Sequence, residues 1–497
     1  MSESWLSMTK SVFEWLTFLF IFGLGLFVLT IFIIYLIDKF QTKQAIKRNY
    51  PVIGRFRYFF EHLGEFFRQY FFSMDREELP FNRAQRTWVY KAAKNISNII
   101  PFGSSRDIKA TGYISFVNAP YPSLDEDSAI ASKVTVGEQC EFPWHTSAFF
   151  GISAMSYGAI SKPAVQALSY GAAKAGVWLN TGEGGLSPYH LQGGADIIFQ
   201  IGTANYGVRD QEGNLDDDKL RKIAAYPQVK LFELKLSQGA KPGKGGILPA
   251  NKVTAEIAEI RGIPQGADSI SPNRHTDVHD NASLLKKISH IRQITGKPTG
   301  FKAVFGSQQW IEQLCLEIKA MGIEYAPDFI TLDSSDGGSG AAPMTLMDDV
   351  GMNIKESLPM LVKTLNQHGL KNHIKVFASG KLVNPADVAW ALCVGADFCN
   401  SARGFMFSLG CIQSLQCNKN TCPTGVATHN KKLQRGLVAK NKSVRVAHYA
   451  NNMMHAVGMI AHSCGVNDPR KLDIRHARIV IETGKSISLQ QYYTSEI

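Results

Sequence analysis

No Gly-x-Gly-x-x-Gly stands between a strand-like run and a helical stretch in these 497 residues. An open dinucleotide-binding sheet would therefore lack its phosphate loop, and the pair Gly23-Leu24-Gly25 lies inside an apolar run where it cannot serve as one. Disulfide scaffolding is excluded by the scarcity and placement of cysteine: eight in all, of which five fall between Cys393 and Cys422. Charged residues make up only 19% of the chain and hydrophobic ones 45%, which excludes a disordered polyelectrolyte. The net charge of +11 comes without a helix-turn-helix, RNP or zinc-finger pattern, so nucleic acid is not an expected partner.

That charge is localised. Between Asp38 and Asn95 stand twelve Lys and Arg against six Asp and Glu, directly after an apolar run. Trp15 to Ile37 is 23 residues without a charge, bounded by Glu14 and Asp38. As a helix it would measure about 35 Å, enough for a hydrocarbon core of about 30 Å. The front end, with Glu3, Lys10 and Glu14, is not the basic one of a signal peptide, and it and the length argue against cleavage. Lys39, Lys43, Lys47 and Arg48 then place the rest of the chain on the cytoplasmic side of the inner membrane, as a single-pass protein. Phe56, Phe59, Phe60, Leu63, Phe66, Phe67 and Tyr70 follow at helical spacing, either as an interfacial helix or as one packed on the catalytic domain.

From about residue 145, apolar β-branched runs alternate with amphipathic helical stretches. The expected strands are Phe149–Met155, Val177–Asn180, Ile197–Ile201, Leu231–Leu236, Gly300–Phe305, Asp328–Leu332, Ile374–Ala378 and Ala396–Asn400. Eight βα units predict an α/β fold, a (β/α)8 TIM barrel behind an N-terminal transmembrane helix. The expected segments are a tail over 1–14, the membrane helix over 15–37, a basic extension over 38–144, the barrel over 145–465 and a C-terminal tail over 466–497. Chemically loaded residues end nearly every strand, among them Lys235, Lys302 and Asp336-Gly337-Gly338-Ser339-Gly340. Ser379-Gly380-Lys381 and Ala402-Arg403-Gly404 fall after the last two strands, where barrels hold a phosphate tail.

Cys411, Cys417 and Cys422-Pro423 form C-x5-C-x4-C on one loop. Three thiolates at this spacing suit a three-iron cluster; zinc would want a fourth ligand, with His429 nearest, and three structural cysteines are the plain alternative.

Several motifs now carry a resemblance: Ile152 to Ser161, Asn180-Thr181-Gly182-Glu183-Gly184-Gly185, Gln238-Gly239-Ala240-Lys241-Pro242-Gly243, Ser335 to Ala341, and Gly410-Cys411 through Thr428. In this order, over about residues 145–430, the chain resembles the FMN domain of glutamate synthase. The resemblance implies FMN and a [3Fe–4S] cluster, with reduction of 2-iminoglutarate, formed from 2-oxoglutarate and ammonia, to glutamate. It implies FMN contacts from Ala154, Met155, Ser156, Gln200, Lys235, Gly380, Lys381, Ala402 and Arg403. It assigns substrate and catalytic roles to Glu183, Lys241 and Arg261, and cluster ligation to Cys411, Cys417 and Cys422. Chemistry supports these types: a Lys can stabilise a reduced flavin anion, an Arg fork matches a carboxylate, and a Glu can orient an iminium.

The departures from the family pattern are specific. Lys244 and Ile247 stand where the family carries Glu and Gln, and Ala402-Arg403 where it carries Gly-Thr. Ala402-Arg403 can keep anion binding through the guanidinium, but Lys244 and Ile247 keep two other readings open: a synthase joining another amine to a keto acid, as in methylglutamate-forming relatives, and a non-catalytic membrane flavin/iron–sulfur electron carrier. Residue 2 is Ser, so no nucleophilic Cys follows the first Met, and no NAD(P)H module is evident. The expected partners are ferredoxin or a separate reductase for electrons, and free ammonia or a separate amidotransferase for nitrogen.

Overall fold

The computed structural model describes residues 2–128 and 130–494, which divide into two compact units meeting at Arg83 and Ala84. The first unit begins with one helix, α1 (Ser2–Phe40). It is long and apolar enough to cross a membrane, and no residue of the run from Trp15 to Ile37 is buried. The charge-free run that predicts it is extended at both ends by polar helical turns. Asp38 closes it: the carboxylate accepts the Val52 N–H at 3.0 Å and pairs with the Arg55 guanidinium at 2.8 Å. Helix α2 (Gly54–Phe67) follows, with Phe56, Phe59 and Phe60 exposed.

The second unit is built on a closed barrel of eight parallel strands in sequential order. They are β1 (Phe150–Ile152), β2 (Leu179–Asn180), β3 (Ile197–Ile201), β4 (Val229–Lys235), β5 (Thr299–Ala303), β6 (Phe329–Asp333), β7 (Lys375–Ser379) and β8 (Phe398–Ser401). All eight expected strands are present. The largest change is in β1, which ends at Ile152, because Ser153 to Ser156 leave the ladder to form the barrel rim. Burial on both faces explains why the strands read as continuous apolar runs rather than alternating ones. Inside, Phe377 stacks on Phe398 at 4.4 Å and both meet Trp178 edge-on. Gly151 makes room for that indole, since a Cβ there would lie 2.3 Å from it.

Between β4 and β5 the chain makes a long excursion instead of passing directly into one helix. It contains a two-stranded pairing of Ile247–Leu248 with Ser269–Ile270, a 3-10 turn (Ala250–Lys252) and a short helix, α3 (Ala255–Arg261), capped by Thr254. This excursion carries Lys241, Lys252 and Arg261 to the carboxyl end of the barrel. The segment expected as a C-terminal tail is ordered differently. Ala477–Glu482 and Lys485–Ser488 form a hairpin that Ile114–Phe116 extends to three strands. Ala477, Ile479 and Val480 are buried there, which gives that segment an apolar surface to pack.

Candidate active site

A cleft opens at the carboxyl ends of the strands. Ala154, Met155 and Ser156 enter it from the loop after β1, Glu183 from that after β2, Gln200 from β3, Lys235 from β4, and Ala402 and Arg403 from the loop after β8. Lys241 and Arg261 reach it from the excursion, and Cys417 from the cysteine loop. Eleven of the residues singled out in the sequence thus share one cavity. Gly380 and Lys381 end β7 outside its lining, as do Cys411 and Cys422 in the loop that carries Cys417.

The charges are held at short range. Lys235 donates to Glu183 Oε1 at 2.8 Å and to Gln238 Oε1 at 3.1 Å. Burial raises the Glu183 carboxyl, but the Lys235 ammonium, its hydrogen bond, and the nearby Lys241 and Arg261 win and hold it at about 2. Glu183 is therefore an anion at any neutral pH. Its seat is tight, because a Cβ on Gly246 would stand 2.4 Å from Oε1 and one on Gly202 would stand 2.6 Å from its Cβ. Burial and the Lys235 charge pull Lys241 down to about 8; its ammonium donates to the Ala341 carbonyl at 3.3 Å.

Arg261 is buried at the end of α3, with Nη1 donating to Ser269 Oγ at 3.0 Å. Its Nη2 makes only long contacts, 3.5 Å to Ser156 Oγ and 3.4 Å to the Tyr157 carbonyl, and Nε has no hydrogen-bond partner. A guanidinium with unspent donors on a cleft wall fits an incoming carboxylate. Across the cleft, Arg403 Nη2 donates to the Ser339 carbonyl at 2.7 Å. The glycines of the 337–340 loop leave that side open: a Cβ on Gly338 would press on this guanidinium, and one on Gly340 would meet nothing.

Other functional contacts were not singled out in the sequence as site residues. Lys302, read there only as a strand end, lines the cleft 3.7 Å from Asp333 Oδ2. Glu233, fully buried in the barrel, accepts from Gln200 Nε2 at 2.6 Å, Asn180 Nδ2 at 2.9 Å and Thr331 Oγ1 at 2.5 Å. With its amide nitrogen so engaged, Gln200 has its oxygen left to turn elsewhere. His275 braces Lys235 from behind. The Lys287 ammonium, a donor only, lies 3.3 Å from Nδ1, so the ring proton sits on Nε2 and is donated to the Lys235 carbonyl at 3.0 Å. Burial first, then the Lys287 charge, push His275 down to about 3, so it stays neutral.

The cysteine loop is a different environment. Burial raises the Cys422 thiol, but the Thr424 hydroxyl and the N–H groups of Ala427, Thr424 and Val426 outweigh that and lower it. Cys411 is pushed up to about 11 by burial, with the neighbouring Cys417 and Cys422 adding to the effect. Among the described residues, no three His, Cys, Asp or Glu side chains converge as ligands of one ion. His429 donates its Nε2–H to the Gly158 carbonyl, 2.8 Å away, and among the described residues it joins no ligand group with the cysteines, so a zinc reading gains no support. A three-iron cluster would draw on all three thiols of this loop, and Cys411 feels the charges of both Cys417 and Cys422.

The comparison with known proteins decides the family. A model described as the conserved region in glutamate synthase matches residues 116–467. The chain belongs to the glutamate synthase family. Glutamate synthases are oxidoreductases. Glutamate synthase large subunit-like protein YerD of Bacillus subtilis is 40% identical over 92% of this chain and 94% of its own length. The archaeal-type glutamate synthase [NADPH] of Thermotoga maritima is 32% identical over 69% of this chain. This chain spans 64% of that relative, and 18% of the Bacillus subtilis glutamate synthase [NADPH] large chain, to which it is 31% identical.

Proposed function

We propose that the chain is a glutamate synthase-type oxidoreductase that binds FMN in the cleft and reduces 2-iminoglutarate, from 2-oxoglutarate and ammonia, to L-glutamate. The observation that carries this reading is the convergence of Glu183, Lys235, Lys241 and Arg261 on one cleft at the strand ends of a glutamate synthase-family barrel. FMN would supply the hydride. Ala154, Met155, Ser156, Gln200 and Lys235 would hold its ring, with Lys235 as the cation beside it; Gly380, Lys381, Ala402 and Arg403 would serve its phosphate end.

The residues then divide the remaining work. Arg261, with donors to spare, and Lys241 bind the carboxylates of the keto acid. Glu183 cannot deliver a proton at neutral pH, since it is ionised down to about pH 2. Its part is to attract the cationic iminium and fix its nitrogen in place, which favours the protonated imine over the uncharged carbonyl of the keto acid. Such a clamp is of no use to a pure electron carrier. The one observation that favours another amine or keto acid is Ile247, which lines the cleft where the family pattern carries Gln; Lys244 is exposed to solvent and alters the cleft less.

Cys411, Cys417 and Cys422 are assigned to a [3Fe–4S] cluster that passes electrons from ferredoxin or a separate reductase. Nitrogen comes as free ammonia or from a separate amidotransferase. α1 anchors the chain in the inner membrane with the barrel in the cytoplasm, supported by its apolar exposed length and the basic residues after it. The test is cofactor content and donor preference of the full chain in detergent. Anaerobically purified protein should be yellow-brown, with releasable FMN and about three irons per chain. It should form glutamate with reduced ferredoxin and ammonium, and none with NADPH and glutamine. Colourless protein that takes up no FMN overturns the reading.

A further inference from the structure

The cysteine loop is fastened to the barrel almost wholly by uncharged groups. Asn420 Nδ2 donates to the Asn251 carbonyl at 3.2 Å and the Ser161 N–H to the Val426 carbonyl at 2.8 Å, while within the loop the Thr428 hydroxyl donates to the Asn420 carbonyl at 2.6 Å. One charged side chain interrupts this pattern. Lys252, 2% exposed, sends its ammonium to the carbonyls of Ala159 at 2.9 Å, Cys417 at 3.2 Å and Ala427 at 3.2 Å. These acceptors come from three different places: the loop after β1, the middle of the cysteine loop and its far end.

Three carbonyls match the three N–H donors of an ammonium, whereas a neutral amine would turn a lone pair toward one of them. All three acceptors are main-chain carbonyls, so the buried cation has no carboxylate to offset its desolvation. Lys252 also lines the cleft beside Cys417. A cation kept at such a position, between a substrate cleft and a group of thiols, has more to do than fill space.

We infer that Lys252 is the latch of the cysteine loop: a positioning residue that ties both halves of the loop to the barrel rim, sets the thiols for their cluster, and places a positive charge beside it. The inference rests on the cluster reading above, yet its first readout does not need iron. Hydrogen exchange is followed by mass spectrometry on iron-free full-length protein, comparing wild type, Lys252→Met and Lys252→Arg. Lys252→Met should speed exchange at least tenfold over residues 411–428, while peptides from β4, β5 and β6 keep wild-type protection. Lys252→Arg, which retains donors and charge, should lie between the two.

After reconstitution with iron and sulfide, Lys252→Met should keep less than a third of the wild-type iron at unchanged FMN. Whatever cluster remains should be harder to reduce, because the adjacent positive charge is gone. Wild-type exchange in the loop of Lys252→Met overturns the latch, and so does faster exchange spread evenly over the barrel strands. Should the loop loosen while even wild type takes up no iron, the latch stands and the cluster reading falls.

Discussion

The two walls of the cleft are made in opposite ways. One is a row of strand ends, where Glu183, Lys235 and Lys302 sit on or just past rigid strands and are matched charge to charge, Lys235 to Glu183 at 2.8 Å and Lys302 to Asp333 at 3.7 Å. The other is a loop without regular structure, residues 410–430, held through amide and carbonyl groups and by one unmatched cation. The difference shows a division of labour. Strand ends fix side chains to the tolerance that a binding role demands, and the loop offers main-chain N–H groups to sulfur, as at Cys422.

The largest effect should come from the strand wall. Glu183→Gln keeps the shape but removes the anion, so the cationic iminium loses its partner and Lys235 its buried counter-charge. Turnover (kcat/KM) should fall about 100- to 1000-fold, in the range of a removed electrostatic or acid–base group. Steady-state kinetics with 2-oxoglutarate and ammonium checks it; a loss under threefold would mean that this wall does not face the reacting atoms.

Legibility divides along the same line. All eight strands and most of the strand-end residues could be read from the sequence, because a parallel barrel writes its strands as apolar runs and ends them in Gly-rich polar stretches such as Asn180 to Gly185. Lys252, His275 and Asn420 could not. Their partners are carbonyls, of Ala159, Cys417 and Ala427 for Lys252 and of Lys235 for His275, and a main-chain carbonyl leaves no residue type to recognise. Nor does the reach of the excursion after β4 show in its composition: Arg261 sits in a short helix 26 residues beyond Lys235, and only the fold brings both to one cleft. The C-terminal hairpin was missed for a different reason, since its short strands depend on Ile114–Phe116, more than 350 residues away.

A smaller change should come from the loop wall and sharpen the contrast. Cys417→Ser should abolish the low-temperature paramagnetic signal of an oxidised three-iron cluster and lower ferredoxin-driven turnover at least tenfold. The reoxidation rate of pre-reduced flavin by substrate should stay within about threefold of wild type, because no residue of the strand wall is touched. Equal losses in both assays would erase the distinction between the walls.

The smallest expected effect is a pH dependence. Lys241, held at about 8 by burial and the Lys235 charge, loses its proton as pH rises through that value. Its help to a substrate carboxylate is full below pH 8 and fades above it, so kcat/KM for 2-oxoglutarate should decline through an apparent pKa near 8 in the free enzyme. In Lys241→Met the decline should vanish at a uniformly lower value. A limb that persists in that variant would assign the titration to another group.

Single-turnover reoxidation tests the central claim most directly. Protein with its flavin photoreduced under argon is mixed with 2-oxoglutarate and ammonium, and the return of oxidised flavin absorbance is followed while glutamate is quantified. The account predicts rapid reoxidation that needs both compounds and yields one glutamate per flavin. No reoxidation with 2-oxoglutarate and either ammonium or methylammonium would contradict it, and would leave the strand wall without the chemistry assigned to it.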